Sequence, residues 1–343
     1  MRIFKIPAVV LLLIIFLVLV AGGLALAIAF LNSPVDSIPS QGINFKIESG
    51  ESSDSVFKRL EKEKLIRSAL LLKLIAKFQG TESAIKAGSY QIAPGSSTLA
   101  IHNLIVEGRQ ELKRSTITEG WTLRQIAKEL EDQGITPSKD FLDLASSRSI
   151  LDQWGIKAKN VEGFLFPDTY FFTANSNPRN VIHTFLENFF NKLKEIAPDY
   201  QSLSFEELYQ RVIIASIVER EYRSENEAPV IGSVFYNRLR RGMRLESCAT
   251  VAYVITDILG RSHPEFLTYD DLKIKSPYNT YENDGLPPGP IGNPGKTALI
   301  AAFYPLKSNY LYFVLKDPQA GTHEFSETYT QHVKAIKLYL KKK

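Results

Sequence analysis

Hydrophobic and polar positions divide the chain into three textures. Residues 6–31 are apolar and uncharged, long enough for one helix to cross the hydrocarbon core of a bilayer. Residues 43–158 hold short apolar runs at i, i+4 spacing, each opened by glycine and a hydroxyl residue. From Val161 the chain turns aromatic in VEGFLFPDTYFFTANS, which favours strand broken at Pro167-Asp168. Helical patterns follow over Asn180–Leu193 and from Phe205, where Ser204-Phe-Glu-Glu207 is a capping-box signature. That helix runs into RVIIASIVERE, Arg211–Glu221, with a break at Ser224–Pro229. A second helix covers about Val230–Arg241 and stops at Gly242. A Gly/Pro-rich loop, Ser276–Lys296, precedes a helix in TALIAAFYP, a strand at Tyr310–Lys316 and a closing helix at Val333–Leu340.

The middle texture is a repeat. Ile47, Gly50, Ser52, Val56 and Leu60 recur as Ile117, Gly120, Thr122, Ile126 and Leu130, and Ser68 and Leu72 as Ser138 and Leu142. A shorter third copy is Ile92, Gly95, Ser97, Ile101 and Ile105. Each reads as a strand, a glycine turn, a Ser or Thr N-cap and an amphipathic helix. Units this small should pack on one another. The pattern resembles LysM-like modules, which bind the N-acetyl sugars of cell-wall glycans; a packing adaptor without sugar affinity is the other reading.

Composition adds an address. Arg2 and Lys5 precede the apolar run, so the positive-inside rule keeps the N-terminus in the cytoplasm and sends the rest outside. A cleaved signal peptide is the rival, with Ala25 and Ala27 as a small-residue site, but its apolar core would be about 7–15 residues. Ser33, Pro34, Ser37, Pro39 and Ser40 mark a linker. Net charge is +4, too little to imply nucleic acid. Lys341–Lys343 reads as a solvated helix end. The one cysteine, Cys248, excludes an intramolecular disulfide and reads as a small buried residue.

Glu219 stands where the apolar helix turns charged. Its side chain lies over Ala215 and Ser216, a stripe of small residues that a ligand could approach, while Glu221 points nearly the opposite way. A carboxyl against an apolar wall holds its proton more firmly and becomes a candidate general acid. The competing reading is a helix-end carboxylate paired with an arginine such as Arg223. None of the five histidines forms a metal-binding pair, and there is no nucleophile elbow or phosphate loop. Asn237-Arg238 and the cluster of Tyr278, Tyr281 and Pro287–Pro290 suit sugar binding or ordinary structure equally.

SIVERE, VFYNRLRRGMRLES, SPYNTYENDGLPPGPIGNPG and YLYFV, with VEGFLFPDTYFFTA upstream, together resemble the endolytic murein transglycosylases of the YceG-like family. The resemblance implies an α+β fold: cytoplasmic tail 1–5, transmembrane helix 6–31, linker 32–42, LysM-like region 43–158 and mixed catalytic domain 159–343. It implies a plasma-membrane (inner-membrane) protein facing outward and cleaving the bond between N-acetylmuramic acid and N-acetylglucosamine. The product is a 1,6-anhydro end, made without cofactor or metal. Glu219 is then the catalytic residue, with Asn237, Arg238, Glu246, Ser247, Tyr278, Asn279 and Tyr281 as substrate contacts. Partners implied are nascent glycan strands and peptidoglycan synthases (penicillin-binding proteins). One departure stands out: the family pattern L-Q-T-D-P-T-V reads Leu245-Glu-Ser-Cys-Ala-Thr-Val251 here. Glu246 keeps open a muramidase using water, and the altered stretch keeps open a non-catalytic wall-binding scaffold.

Overall fold

Local sequence writes most of the first elements in the computed structural model, which describes residues 8–48, 50–108 and 112–339. Lys341–Lys343 and the 1–5 tail lie outside the described residues. The chain divides into two units between Leu112 and Lys113, inside the stretch read as one repeat region.

The first unit opens with α1 (Ala8–Asn32), whose segment Val9–Asn32 is long and apolar enough to cross a membrane. Then come β1 (Ile43–Ile47), α2 (Ser53–Lys62), α3 (Ala69–Gln79), β2 (Gly88–Ile92) and α4 (Thr98–Glu107). β1 and β2 pair antiparallel, with Phe45 opposite Tyr90. Both rings are buried with Val56, Leu60, Leu72, Ile101 and Ile105 in one small core. The linker is strapped down: Arg67 Nε donates to Ser33 Oγ at 3.1 Å, and Thr98 Oγ1 to the Leu31 carbonyl at 3.0 Å.

The second unit begins with β3 (Leu112–Thr116), α5 (Leu123–Asp132), α6 (Ser138–Ala145), α7 (Arg148–Leu151) and β4 (Thr169–Thr173), with β3 and β4 neighbours in one sheet. Each full repeat is thus a strand, two helices (with the short α7 added in the second) and a returning strand. The shorter third copy starts on β2, the returning strand of the first. The predicted caps form: Ser52, Ser97 and Thr122 accept amides at 3.3, 3.2 and 3.3 Å. Gly50, Gly95 and Gly120 take φ of 83°, 77° and 76°, the left-handed turn the pattern requires. Ser68 caps α3, but Ser138 is already inside α6, which starts after Pro137 without a side-chain cap. The first and third copies share the small core, as expected of units this size: Ile47 and Leu60 pack there with Ile92, Ile101 and Ile105. The second copy does not join them; Ile117 and Leu130 belong to the large core, where its strand β3 neighbours β4.

The large core surrounds α9. α8 (Pro178–Ile196) precedes α9 (Phe205–Val218), α10 (Ala228–Arg240), α11 (Cys248–Tyr253) and α12 (Lys296–Phe303). A hairpin of β5 (Tyr312–Asp317) and β6 (Thr322–Ser326) leads to α13 (Tyr329–Tyr339). Ser204 and Glu207 form the predicted capping box at the head of α9. Residues 212–218 of α9 are all buried, since this helix is apolar on every side and packs against α10 and α12. α9 ends at Val218, earlier than the expected break, because Glu219–Tyr222 coil into a tight turn.

Candidate active site

The turn after α9 aims two carboxyls in different directions. Glu219 caps the helix, and its Oε2 accepts the Gly295 amide at 2.8 Å. Its stem lies against Gly120, where an added Cβ would sit 3.4 Å from Glu219 Cγ. Burial pushes the Glu219 carboxyl up to about 7, with the nearby Glu119 charge adding to the rise and the Gly295 bond opposing it. Glu119 is also raised, again by burial first.

Glu221 faces the other way, into a cavity of about 660 Å³. Ser247 Oγ donates to its Oε1 at 2.5 Å. Burial raises its pKa, while the Ser247 bond and the Ala249 amide hold it down. Arg238, Glu246, Cys248 and Tyr281 line the same cavity, and Tyr312 and Tyr329 supply flat apolar wall. A sugar ring needs such a combination of planar faces and a few convergent polar groups.

The other residues named from sequence divide by location. Arg238, Glu246, Ser247 and Tyr281 share the cavity with Glu221; Glu219 lies outside it. Arg238 is mainly a clamp, donating to the carbonyls of Leu311, Arg244 and Leu245 at 2.7, 3.0 and 2.9 Å, and to Glu246 at 2.9 Å. Asn237 spends its amide on the Ser308 and Tyr310 carbonyls at 2.9 and 2.8 Å. Asn279, fully buried, binds the Leu272 and Ile274 carbonyls and accepts the Tyr281 amide, each at 2.9 Å. Both asparagines hold loop backbone around the cavity. Tyr278, within the Gly/Pro-rich loop, packs on Tyr253 with ring centroids 5.1 Å apart. Cys248 is exposed rather than buried, with its Sγ 3.1 Å from the Tyr281 hydroxyl, because α11 turns that first residue toward the cavity.

Sequence reasoning missed the Glu162–Asn293 pair. Asn293 is fully buried and uses its whole amide: Oδ1 accepts from Gly163 and Leu165, and Nδ2 donates to Trp121 O and Glu162 Oε1, all at 2.9 Å. Glu162 also accepts the Leu123 amide at 2.9 Å, which caps α5. Burial pushes Glu162 up to about 8. The pair ties the second repeat, the VEGFLFPDTY stretch and the Gly/Pro-rich loop into one frame behind the α9 turn. No local pattern announces two partners so distant in the chain.

The YceG-like family pattern matches residues 45–338. The chain is 30% identical to an endolytic murein transglycosylase of Bacillus subtilis, over 95% of this chain and 92% of that one. It is 28% identical to an endolytic murein transglycosylase of Streptococcus pneumoniae over 82% of this chain, spanning 55% of that longer relative. The crystal structure of a YceG-like protein from Listeria monocytogenes superposes with a TM-score of 0.57 at 31% identity, covering 86% of this chain and 99% of that one.

Proposed function

The chain belongs to the YceG-like family, and on that footing we propose that it cuts peptidoglycan glycan strands internally, with Glu219 as proton donor. It is an enzyme of the lytic transglycosylase class. The observation that supports the assignment of the acid is the setting of Glu219: at the end of the buried α9 its carboxyl is pushed up to about 7 by burial, so it can hold a proton near neutral pH, and the Gly295 amide orients it at 2.8 Å. Glu221, two residues on, is the more deeply buried carboxyl and is held by Ser247 at the wall of the neighbouring cavity.

In this reading Glu219 enters protonated and gives its proton to the oxygen linking muramic acid to glucosamine. The bond from that oxygen to muramic C1 breaks. The resulting carboxylate takes the proton of the muramic C6 hydroxyl as O6 closes onto C1, giving a 1,6-anhydro end and restoring the acid. The intramolecular hydroxyl replaces water by proximity, so one carboxyl serves both steps. A muramidase route is the second reading, because Glu246 supplies a second carboxylate. Its ion pair with Arg238 at 2.9 Å disfavours it as a free base.

The repeats, in this proposal, are LysM-like modules that hold glycan, and α1 anchors the chain in the plasma membrane with its N-terminus in the cytoplasm. Cutting nascent strands beside the peptidoglycan synthases would limit their length. The test is product analysis with the full chain in detergent, beside Glu221→Gln and Glu219→Gln. Anhydro ends from the parent, lost with Glu219→Gln and kept with Glu221→Gln, support the proposal. Loss with Glu221→Gln alone moves the acid to Glu221. Reducing ends identify hydrolysis, and glycan binding without products identifies a scaffold.

A further inference from the structure

Helix α3 has two apolar faces. Leu72 and Ala76 are fully buried in the small core. Leu70, Leu74 and Phe78 recur every four residues on another side and are 68%, 55% and 94% exposed. Three large apolar side chains in a row on the surface of a folded unit mark a contact face.

The stripe is continuous with α1. Leu70, Leu74 and Phe78 form one wall of an apolar groove of about 690 Å³, and Leu24, Ile28 and Leu31 of α1 form the other. Those α1 residues belong to the segment long and apolar enough to cross a membrane. Two further observations fix the level. Lys77 is exposed on the same helix, on the flank of the stripe, whereas Lys73 beside it is held by Asp54 at 2.8 Å. The Arg67 guanidinium lies 4.8 Å from the centroid of the Phe30 ring, at the end of α1, and donates to the Pro34 carbonyl at 2.9 Å. Cations beside an apolar face match the phosphate level of a bilayer above its acyl chains. The join is also stiff: the Leu99 amide donates to Asn32 Oδ1 at 2.9 Å, and Ser37 Oγ to the Lys64 carbonyl at 2.5 Å.

Resting on the reading of α1 as a membrane span, we propose that α3 is an interfacial helix that seats the first unit on the bilayer. Leu70, Leu74 and Phe78 enter the acyl chains of the outer leaflet where α1 emerges, and Lys77 meets the phosphates. The occupant of the groove is lipid. The first unit is then held flush with the membrane rather than swinging on a tether.

The test places single cysteines by Leu74→Cys and Phe78→Cys in a full chain carrying Cys248→Ser, labels them with an environment-sensitive fluorophore and reconstitutes the protein in phosphatidylglycerol–phosphatidylethanolamine vesicles. Ile14→Cys, within α1, is the reference position. The proposal expects blue-shifted emission at 74 and 78, loss of that emission to bromine carried on the acyl chains, and protection from aqueous iodide. Quenching by iodide at 74 and 78, with position 14 quenched by lipid bromine, overturns the docking and leaves α1 spanning. Protection from both quenchers at 74 and 78 also overturns it, since protein then covers the stripe. Position 14 unquenched by lipid bromine removes the membrane span itself, and the docking with it.

Discussion

Ser247 donates its hydroxyl hydrogen to Oε1 of Glu221 at 2.5 Å, joining the start of α11 to the turn after α9. Two positions earlier, Glu219 is held by the Gly295 amide at 2.8 Å. One short turn therefore gives the two carboxyls different partners. Glu219→Gln should lower strand cleavage by about 10²–10⁴-fold, the usual contribution of a positioned general acid. Glu221→Gln should cost less than about tenfold, acting only through the geometry of the turn. Rates of product release from purified glycan strands separate the two.

Burial of Glu219 also sets the pH range. The acid acts protonated, so activity falls as pH rises through about 7. The Glu119 charge beside it adds to the rise that burial produces. Glu119→Gln should lower the Glu219 pKa and move the alkaline fall in rate to lower pH. A rate–pH profile of parent and variant reads the shift.

Glu162 should make the fold sensitive to alkali. Its carboxyl rises from 4.5 to about 8 on folding, because it is buried. The folded state therefore binds the proton more tightly, and stability falls as pH rises from about 4.5 to about 8. Glu162→Gln keeps an acceptor for Leu123 and Asn293 but cannot ionise. It should flatten the dependence of Tm on pH across that window and be the more stable protein above it, by a few kcal/mol at most. Calorimetric scans at a series of pH values measure this.

Gly232 lets α10 approach α12. A Cβ there would lie 2.8 Å from the Ala301 carbonyl oxygen, a backbone atom that cannot swing aside. Gly232→Ala should cost about 1–3 kcal/mol by forcing the helices apart, despite the better helix propensity of alanine. Urea unfolding gives the difference.

Arg238 tests how the cavity wall is held. Its guanidinium reaches three carbonyls and one carboxylate from a single planar fork. Arg238→Lys keeps the charge but loses that fork, leaving carbonyls of the 244–246 stretch unpaired at about 1–3 kcal/mol. Activity should fall with stability, since Glu246 and Ser247 follow that stretch. Unfolding and cleavage assays on the same preparation check both.

The sequence by itself determined whatever rests on neighbours in the chain. The glycine turn and hydroxyl cap of each repeat formed as the spacing required, because an αL turn and an orphan amide are satisfied within a few residues. The Ser204–Glu207 box set the start of α9, and uncharged apolar length gave α1. The α+β class and the family were legible in the same way, from ordered motifs. Tertiary structure alone decided the rest. Helical angle separated Glu219 from Glu221 but could not say which side would become cavity; that depended on α11, the β5–β6 hairpin and α13 arriving opposite Glu221. Nor could it show that Asn237 and Asn279 would spend their amides on backbone, or that Glu162 and Asn293 would meet. Those pairings come from burial, which forces each polar group to find a partner wherever the fold brings one.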